Sequence, residues 1–384
     1  MNAAGAGGSG PGTASRSPGG STGLWVAELR LRDFRSYQVA DLEFGPGATL
    51  IVGANAQGKS NLVEAIYTAA LGRSPRAGAE VELIRFGQDR AYVRAGVQGA
   101  RSQALEIAFD RTTGERRIKV NGVPANRGRL LGRCVVVMAG PLDDEVIRGA
   151  PMHRRRTLDA ALSQASPSYF FALTRYLRVL RQRNELLRAA AGTATLAPWD
   201  DQLVELGAVL IERRRGFVER LGVRAVARHA RLGGGDERLE VSYACAVGDG
   251  DERVGMRRAL EARRAEEIRR ATTLVGPHRD DLRLTINGVD VRTFGSRGQH
   301  HTAALSLRLA EVDLLREDLG EWPVVLLDDV LAHLDASRQA FLFHEVDGPQ
   351  VLLTHPELPA SLEVPMRVLR VRAGTVAEDA RVSS

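Results

Sequence analysis

Lysine is nearly missing from this sequence. Lys59 and Lys119 are the only two among 53 basic residues, so arginine carries almost all of the positive charge. The bias reads as a compositional habit, and Lys119 shows that lysine is not wholly reserved for one place. Cysteine is scarce as well: Cys134 in "CVVVM" and Cys245 in "YACAV". Neither has a companion at metal-binding or redox spacing, so both read as reduced core residues of a cytoplasmic protein. Long apolar runs are absent. No stretch approaches the roughly 18 apolar residues that a membrane span requires. Residues 1–23 are mostly Gly, Ser, Ala and Pro and lack the apolar centre of a signal peptide, so they are expected to form a disordered tail, with 373–384 frayed at the other end.

What is present is arginine, a formal net charge of +6 and a sequence pI near 9.8. Such an excess suits a polyanionic partner, although dispersed arginine also makes an ordinary solvated surface. At 384 residues the chain can build one large domain or two ordinary ones.

From 24 to about 140, short strand-like runs alternate with one helix. "ATLIVG" is strand-like, Leu62, Val63, Ile66 and Ala70 recur at helical spacing, and Leu105, Ile107 and Phe109 alternate with period two. An Asn-Gly pair at Asn121–Gly122 signals a hairpin. The next 120 residues change to helical spacing. Leu173, Leu177, Leu180 and Leu187, with Asn184 on the same seam, are followed by the loop "AGTATLAP" and then by Trp199, Leu203, Leu206 and Leu210. Two such helices fold back most simply as an antiparallel arm, an ordinary bundle layer being the alternative. Strand signals return after 271, in "LRLTINGVDV", "PVVLLDDV" and "PQVLLTH".

The stretch "GANAQGKSN" fits the phosphate-binding loop at every fixed position: Gly53, four residues, Gly58, Lys59, Ser60. It stands between a strand and a helix, as that loop must. Gly53, Ala54, Asn55, Ala56, Gln57, Gly58, Lys59, Ser60 and Asn61 are therefore the candidate nucleotide cradle. Glycines let the backbone approach a pyrophosphate, the helix N-terminus adds positive potential, and a slim ammonium reaches oxygens that a planar guanidinium would not. An accidental glycine loop capping a helix is the plainer reading. The far half of the site is "VVLLDDV": Asp328 would hold Mg²⁺ with the Ser60 hydroxyl, and Asp329 would orient or deprotonate the attacking water. About 270 residues separate the halves. A core split so widely by a helical insertion points away from compact P-loop enzymes.

"SRGQ" resembles the signature of ATP-binding-cassette proteins, with Ser296, Gly298 and Gln299 opening a helix that would dock on the phosphate held by a second copy. Asp335 in "AHLD" stands at the dimer-loop position and His355 at that of the switch histidine. Together with "LRDFRSY", "LIRFG", "RRRTLDAALSQASPSYF", "VLRQRN", "LVGPHRDDL" and "LLDDVLAHLD", these residues resemble the RecF recombination-mediator ATPases of bacteria, from about Leu29 to Thr354.

The resemblance implies an α/β fold: a P-loop ABC-type (SMC/RecF-like) ATPase head, 24–150 and 271–372, split by a helical arm at 151–270. It implies an ATP-dependent homodimer that clamps DNA and acts with RecR and RecO to help RecA load at gaps, in replication, recombinational repair and SOS induction. ATP and Mg²⁺ are the implied cofactors, with slow DNA-stimulated hydrolysis and a cytoplasmic location. Arg35 and Arg76 lie near motifs flanking the nucleotide in that family and are assigned to ATP on the same ground. The chain departs from the family's pattern at His300 and His301 after the signature glutamine, at Ala332 and His333 in the dimer loop, at Pro75, and in "MAGPLDDEVIRG", which carries no Q-loop glutamine. These departures keep open a weakly hydrolysing ATP- and DNA-binding paralogue; a transporter ATPase subunit is a third reading, opposed by the arm.

No base-reading module is evident. Candidate backbone contacts to DNA are Arg154, Arg155 and Arg156, then Arg175, Arg178, Arg181 and Arg183 on the arm. The segment "GPHRDD", 276–281, has no role that the sequence explains.

Overall fold

The computed structural model describes residues 23–382 apart from 191, 234, 249, 346–347 and 360–365, so the expected tail before Gly23 lies outside the described residues. In chain order the strands are β1 (Trp25–Phe34), β2 (Tyr37–Glu43), β3 (Ala48–Val52), β4 (Arg90–Gln98), β5 (Gln103–Asp110), β6 (Arg116–Val120), β7 (Val123–Ala125), β8 (Val136–Ala139), β9 (Leu239–Ala244), β10 (Asp281–Ile286), β11 (Val289–Asp290), β12 (Val324–Asp328), β13 (Val351–His355), β14 (Met366–Arg372) and β15 (Thr375–Val382). The helices are α1 (Lys59–Leu71), α2 (Arg127–Leu130), α3 (Asp143–Ile147), α4 (Pro151–Ala165), α5 (Pro167–Arg188), α6 (Thr193–Gly233), α7 (Glu252–Arg270), α8 (Val291–Phe294), α9 (Arg297–Leu319) and α10 (Ala336–Glu345).

Two six-stranded sheets enclose α1. One is antiparallel throughout, ordered β2-β1-β4-β5-β6-β7; the other runs β15-β14-β3-β13-β12-β8 and is parallel except at β15. The strands of the parallel core are buried on both faces. That is why "VVMA" and "VVLL" read as continuous apolar runs, while β4 and β5 alternate. Leu62, Val63, Ala65, Ile66 and Ala69 of α1 fill the space between the sheets. On the other face of the parallel sheet lies α9, whose Leu305, Leu309, Val312 and Leu315 pack on it while Ala303, Leu307, Ala310 and Leu314 join a separate core with α4, α5 and α6. Two apolar stripes on one helix are what such double packing requires, with Arg308 and Glu311 between them paired to each other.

Helices α5 and α6 pack along one another through a short connection at 189–192. The connection is shorter than the eight-residue loop expected from "AGTATLAP", because α6 begins at Thr193 and holds Pro198 within it, and α6 continues unbroken to Gly233. The buried seam of α5 also differs from the leucine spacing. Tyr169, Tyr176, Val179, Arg183 and Leu187 face inward, whereas Leu177 is 46% exposed, because the helix is anchored by tyrosine and arginine rather than by leucine.

Two boundaries are corrected. Strands β10 and β11, placed by the sequence on the head side of 270/271, form a three-stranded antiparallel sheet with β9 in which β10 lies in the middle, bonded to both, and contributes Leu282, Leu284 and Ile286 to the arm's core. Residues 375–382 are not a frayed end: β15 pairs with β14 across a turn whose Ala373 and Gly374 both have positive φ, the geometry of a tight hairpin.

Candidate functional site

The loop between β3 and α1 is built as the glycines predict. At Gly53, φ +156, an added Cβ would lie 2.3 Å from the Val371 carbonyl oxygen; at Gly58, φ +113, it would lie 2.8 Å from Ser36 Oγ. Both positions need glycine on steric and conformational grounds. Tyr37 donates from its hydroxyl to the Gly58 carbonyl, 3.0 Å, and the loop is held from the far end of the chain as well, where the amide of Ala373 donates to Gln57 Oε1 at 2.6 Å. No sequence signal pointed to that clasp, which depends on the β14–β15 turn. Ala54, Asn55 and Ala56 are the rim of the loop, with Ala56 at φ +63.

Lys59 Nζ donates to the carbonyls of Gly53 (2.6 Å) and Ala54 (3.0 Å), so its ammonium lies inside the loop. Burial lowers its pKa, with the carboxylates of Asp329 and Asp328 opposing the shift. Asp328, buried at the end of β12, accepts at one oxygen from Ser60 Oγ and from Thr354 Oγ1, each at 2.8 Å. Residues 268 positions apart thus meet because β3, β13 and β12 are neighbours in one parallel sheet. Asp329 follows with φ +54, its amide donating to Thr354 Oγ1 at 2.9 Å and its Oδ1 buried without a hydrogen-bond partner. An orphaned buried carboxylate oxygen beside a phosphate loop is a feature that calls for a functional explanation.

Arg35 and Arg76 converge on one residue that the sequence reading missed. Glu64 of α1, fully buried, takes two hydrogen bonds from Arg35 (3.0 and 2.8 Å), one from Arg76 (2.5 Å) and one from Ser74 Oγ (2.6 Å). Burial pushes its carboxyl up, but these donors outweigh burial and hold it below the usual range. Arg76 also reaches Asn61 Oδ1 at 3.0 Å and the Ser60 carbonyl at 3.2 Å, so it borders the P-loop, whereas Arg35 bonds Glu64 and the Glu82 carbonyl, the latter at 2.8 Å. The available signal was a lone acid in the apolar helix "LVEAIYTAAL". A cleft of about 770 Å³ opens beside Ser60 and Asp328 and is lined by Arg76, Arg156 and Arg308 among others.

"MAGPLDDEVIRG" passes next to Asp328: a Cβ at Gly140 would come within 3.0 Å of it. No glutamine stands here. Asp143 instead takes two bonds from Arg308 of α9, at 2.9 and 2.7 Å, and Arg308 in turn donates to Glu311.

Ser296 caps α9, its Oγ accepting from the Gln299 amide at 3.2 Å while Gln299 Oε1 accepts from the Ser296 amide at 2.8 Å. Ser296 and Gly298 are exposed, and the hydrogen bonds of the motif do not run to the P-loop. Of the unusual histidines after it, His300 is buried and its Nε2–H donates to the Val291 carbonyl at 2.9 Å, a packing role. His301 lines a small cavity with Asp143, Asp144 and Asp329. Asp335, exposed, caps α10 through the Arg338 amide at 2.9 Å, and His355 ends β13 with Nδ1 2.5 Å from the Glu357 carbonyl.

The arginine candidates for DNA separate cleanly. Arg154 is only 3% exposed, paired bidentately with Asp281 (2.7 and 2.9 Å) and donating to the carbonyls of Val146, Ile147 and Gly149. Arg183 is fully buried, bonded to Asp200, Glu267 and Thr273. Neither can meet DNA; a run of arginines shows charge, while its tertiary acids lie up to 127 residues away. Arg155 is half-buried and donates to the Asp280 carbonyl, and Arg156 faces the cleft. Arg175, Arg178 and Arg181 stand exposed on α5.

"GPHRDD" now has an account. His278 bonds the Tyr176 hydroxyl at 2.6 Å, Asp280 accepts from Tyr243 at 2.5 Å, the Pro277 carbonyl accepts from the buried Arg214, and Asp281 holds Arg154. Burial lowers the His278 pKa to about 4, so the ring is neutral near pH 7. The segment is the polar knot that joins α4, α5, α6 and β9.

Among the described residues no helix is long and apolar enough to cross a membrane. Residues 25–350 match the family model described as the RecF/RecN/SMC N-terminal domain. The chain is similar to the DNA replication and repair protein RecF of Alkaliphilus oremlandii, 38% identical over 340 residues that cover 86% of this chain and 92% of the relative. A solved structure of the recombination mediator protein RecF with ATP, of the RecFOR pathway, superposes with a TM-score of 0.87 at 34% identity, covering 95% of this chain and all of the other. The Smc head domain of Pyrococcus furiosus, 17% identical with a TM-score of 0.55, shares the fold, covering 94% of this chain and 96% of its own.

Proposed function

The chain belongs to the RecF family of DNA replication and repair proteins, and from that premise we propose that it is an ATP-dependent DNA clamp: two copies close around two ATP molecules, grip DNA, and open on slow hydrolysis. The observation that carries the reading is the 2.8 Å contact between Ser60 and Asp328, which joins the phosphate-loop serine to the strand-end carboxylate across 268 positions of sequence. A protein whose signature serine is exposed and turned to its own helix has that serine available for a second copy.

In this reading Lys59 and the loop amides hold the β- and γ-phosphates, and Ser60 and Asp328 hold Mg²⁺. The pair suits that ion, which takes one or two protein oxygens and completes its shell with phosphates and water; when bound it neutralises charge on the phosphate oxygens. Asp329 accepts the proton of the attacking water or orients it. Ser296, Gly298, Gln299 and Asp335 act on the partner copy's nucleotide, and Arg35 and Arg76, aligned by Glu64, serve the same chain's nucleotide. DNA is held through its backbone without sequence preference, by Arg175, Arg178 and Arg181. The clamp works in the cytoplasm with RecR and RecO, helping RecA to load at gaps and so supporting recombinational repair and SOS induction.

The test is ATP turnover by the purified chain with and without duplex DNA at modest salt. DNA-stimulated turnover is expected; ATP binding with no turnover in either condition would replace this reading by a weakly hydrolysing clamp. Lys59→Arg should reduce ATP affinity and turnover roughly 100-fold or more, since a planar fork cannot enter the backbone cradle that the ammonium occupies. Neutralising Arg175, Arg178 and Arg181 together should flatten the dependence of log affinity for duplex DNA on log salt by about 2 to 3, since each phosphate that the protein neutralises adds about 0.9 to that slope. An unchanged slope would remove α5 from the DNA surface.

A further inference from the structure

Helix α6 touches more of the machinery than an arm needs to. Its C-terminal half runs antiparallel to α9 along a ladder of ion pairs, Arg220–Asp318 at 2.6 Å, Arg224 with Glu317, and Arg228–Asp313 at 2.7 Å. Past the ladder, His229, fully buried, sits 3.3 Å from Ser306 Oγ of α9. The helix then stops at Gly233 and the chain reverses through Gly235, φ +92. That reversal returns Glu237 over the end of α6. One of its carboxylate oxygens lies 3.3 Å from His229 Nε2, and the other accepts from Gln299 Nε2 at 2.8 Å.

Gln299 is the residue whose Oε1 caps the Ser296 amide, so its side chain is held at both ends. The same end of α6 also meets the segment after Asp335: Arg338 donates to the Leu232 carbonyl at 3.1 Å, and Arg231 stacks over the Phe341 ring at 5.0 Å. One continuous helix thus joins the arm to the two motifs that face a second copy.

We propose that Glu237 is a positioning residue for the signature: it holds Gln299 so that the exposed Ser296 end of α9 is set in place for the partner copy's nucleotide, and ties that setting to α6. This rests on the reading that Ser296 acts in trans. A preorganised capping side chain spares the dimer the ordering that a free one must undergo on closure. Removing the carboxylate leaves Gln299 Nε2 unpartnered and the signature turn loose, while the P-loop, which Glu237 does not touch, keeps its ATP affinity.

The experiment uses the full chain, with ATP-induced dimerisation followed by light scattering, turnover by phosphate release, and monomer affinity by a fluorescent ATP analogue. For Glu237→Ala the expected result is dimerisation weakened roughly tenfold for each of the two signatures, from the loss of a charge-assisted bond, with a matching fall in turnover and monomer ATP affinity within twofold of the parent. Glu237→Gln should recover most of the loss, because an amide oxygen still accepts from Gln299. In a Gln299→Ala background the Glu237→Ala effect should vanish, since the carboxylate acts through that amide. The proposal is overturned if Glu237→Ala dimerises as the parent does, if it loses monomer ATP affinity in proportion, or if its effect persists without Gln299. A parent chain that stays monomeric at saturating ATP would instead overturn the clamp reading itself.

Discussion

Asp329→Asn is expected to lower ATP turnover by roughly 100- to 10,000-fold, the range for removing a positioned general base, while leaving ATP binding and the ATP-dependent dimer intact. The structure makes this a clean substitution. Asp329 stands at φ +54, a conformation that asparagine tolerates as well as aspartate does. Its link to the fold is through its amide, which donates to Thr354 Oγ1 and is unchanged by the mutation. One oxygen of its carboxylate is buried without a hydrogen-bond partner, so the substitution breaks no hydrogen bond at that atom. Asp328 keeps both of its hydroxyl donors, so its contact with Ser60 survives. Phosphate release and light scattering in ATP, measured together, decide the matter. A trapped dimer with turnover near background supports the assigned role; turnover within a few-fold of the parent would move the base elsewhere. A parent chain that already fails to hydrolyse would make the two proteins indistinguishable and favour the weakly hydrolysing clamp.

The second large effect concerns stability and falls on a residue that sequence reasoning placed on the surface. Arg183→Ala should destabilise the chain by about 3–5 kcal/mol, as expected when one partner is removed from a buried ionic network. Arg183 is fully buried and bonds Asp200 at 2.7 Å, Glu267 at 2.6 Å and Thr273 at 2.7 Å, while Asn184 next to it accepts from the Thr273 amide and hydroxyl. Glu267 is itself fully buried, so removal of the guanidinium strands its charge. Arg178→Ala, on the exposed face little more than one turn earlier, is the control and should stay within about 0.5 kcal/mol. Urea unfolding of both variants gives the comparison. Equal midpoints would mean that the network contributes nothing to the arm. This network also gives "VLRQRN" a physical reason: the arginine and asparagine tie α5 to α6 and to the end of α7.

The phosphate loop, the Asp328–Asp329 strand end and the Ser296 cap were legible because each depends on neighbours in sequence. A tight loop needs glycine, a buried parallel strand needs an apolar run, and a helix start needs a serine with a glutamine three residues on. The arm's inward face was misread for the opposite reason. Leucine spacing marks where apolar side chains recur, but α5 is anchored by Tyr169, Tyr176 and Arg183, whose polar ends are satisfied only by residues of other elements. Arg154 shows the same limit, since nothing local distinguishes a solvated arginine from one paired with Asp281.

The order of residues alone therefore revealed a phosphate-loop pattern with Lys59 in it and, about 270 residues on, an apolar strand ending in Asp328 and Asp329, because such patterns are written in local backbone geometry and side-chain shape. The tertiary structure decided which charges are free. Fifty-three basic residues look alike in sequence, and burial next to an acid many residues distant turns some into structural ties, such as Arg154, Arg183 and Arg214. It brings Arg76 to the phosphate loop, at Ser60 and Asn61, and joins it to Arg35 through Glu64. It also decided the partners of Glu64, Gln57 and Glu237, since a hydrogen bond between distant segments exists only once the sheets and helices have brought its two ends within about 3 Å.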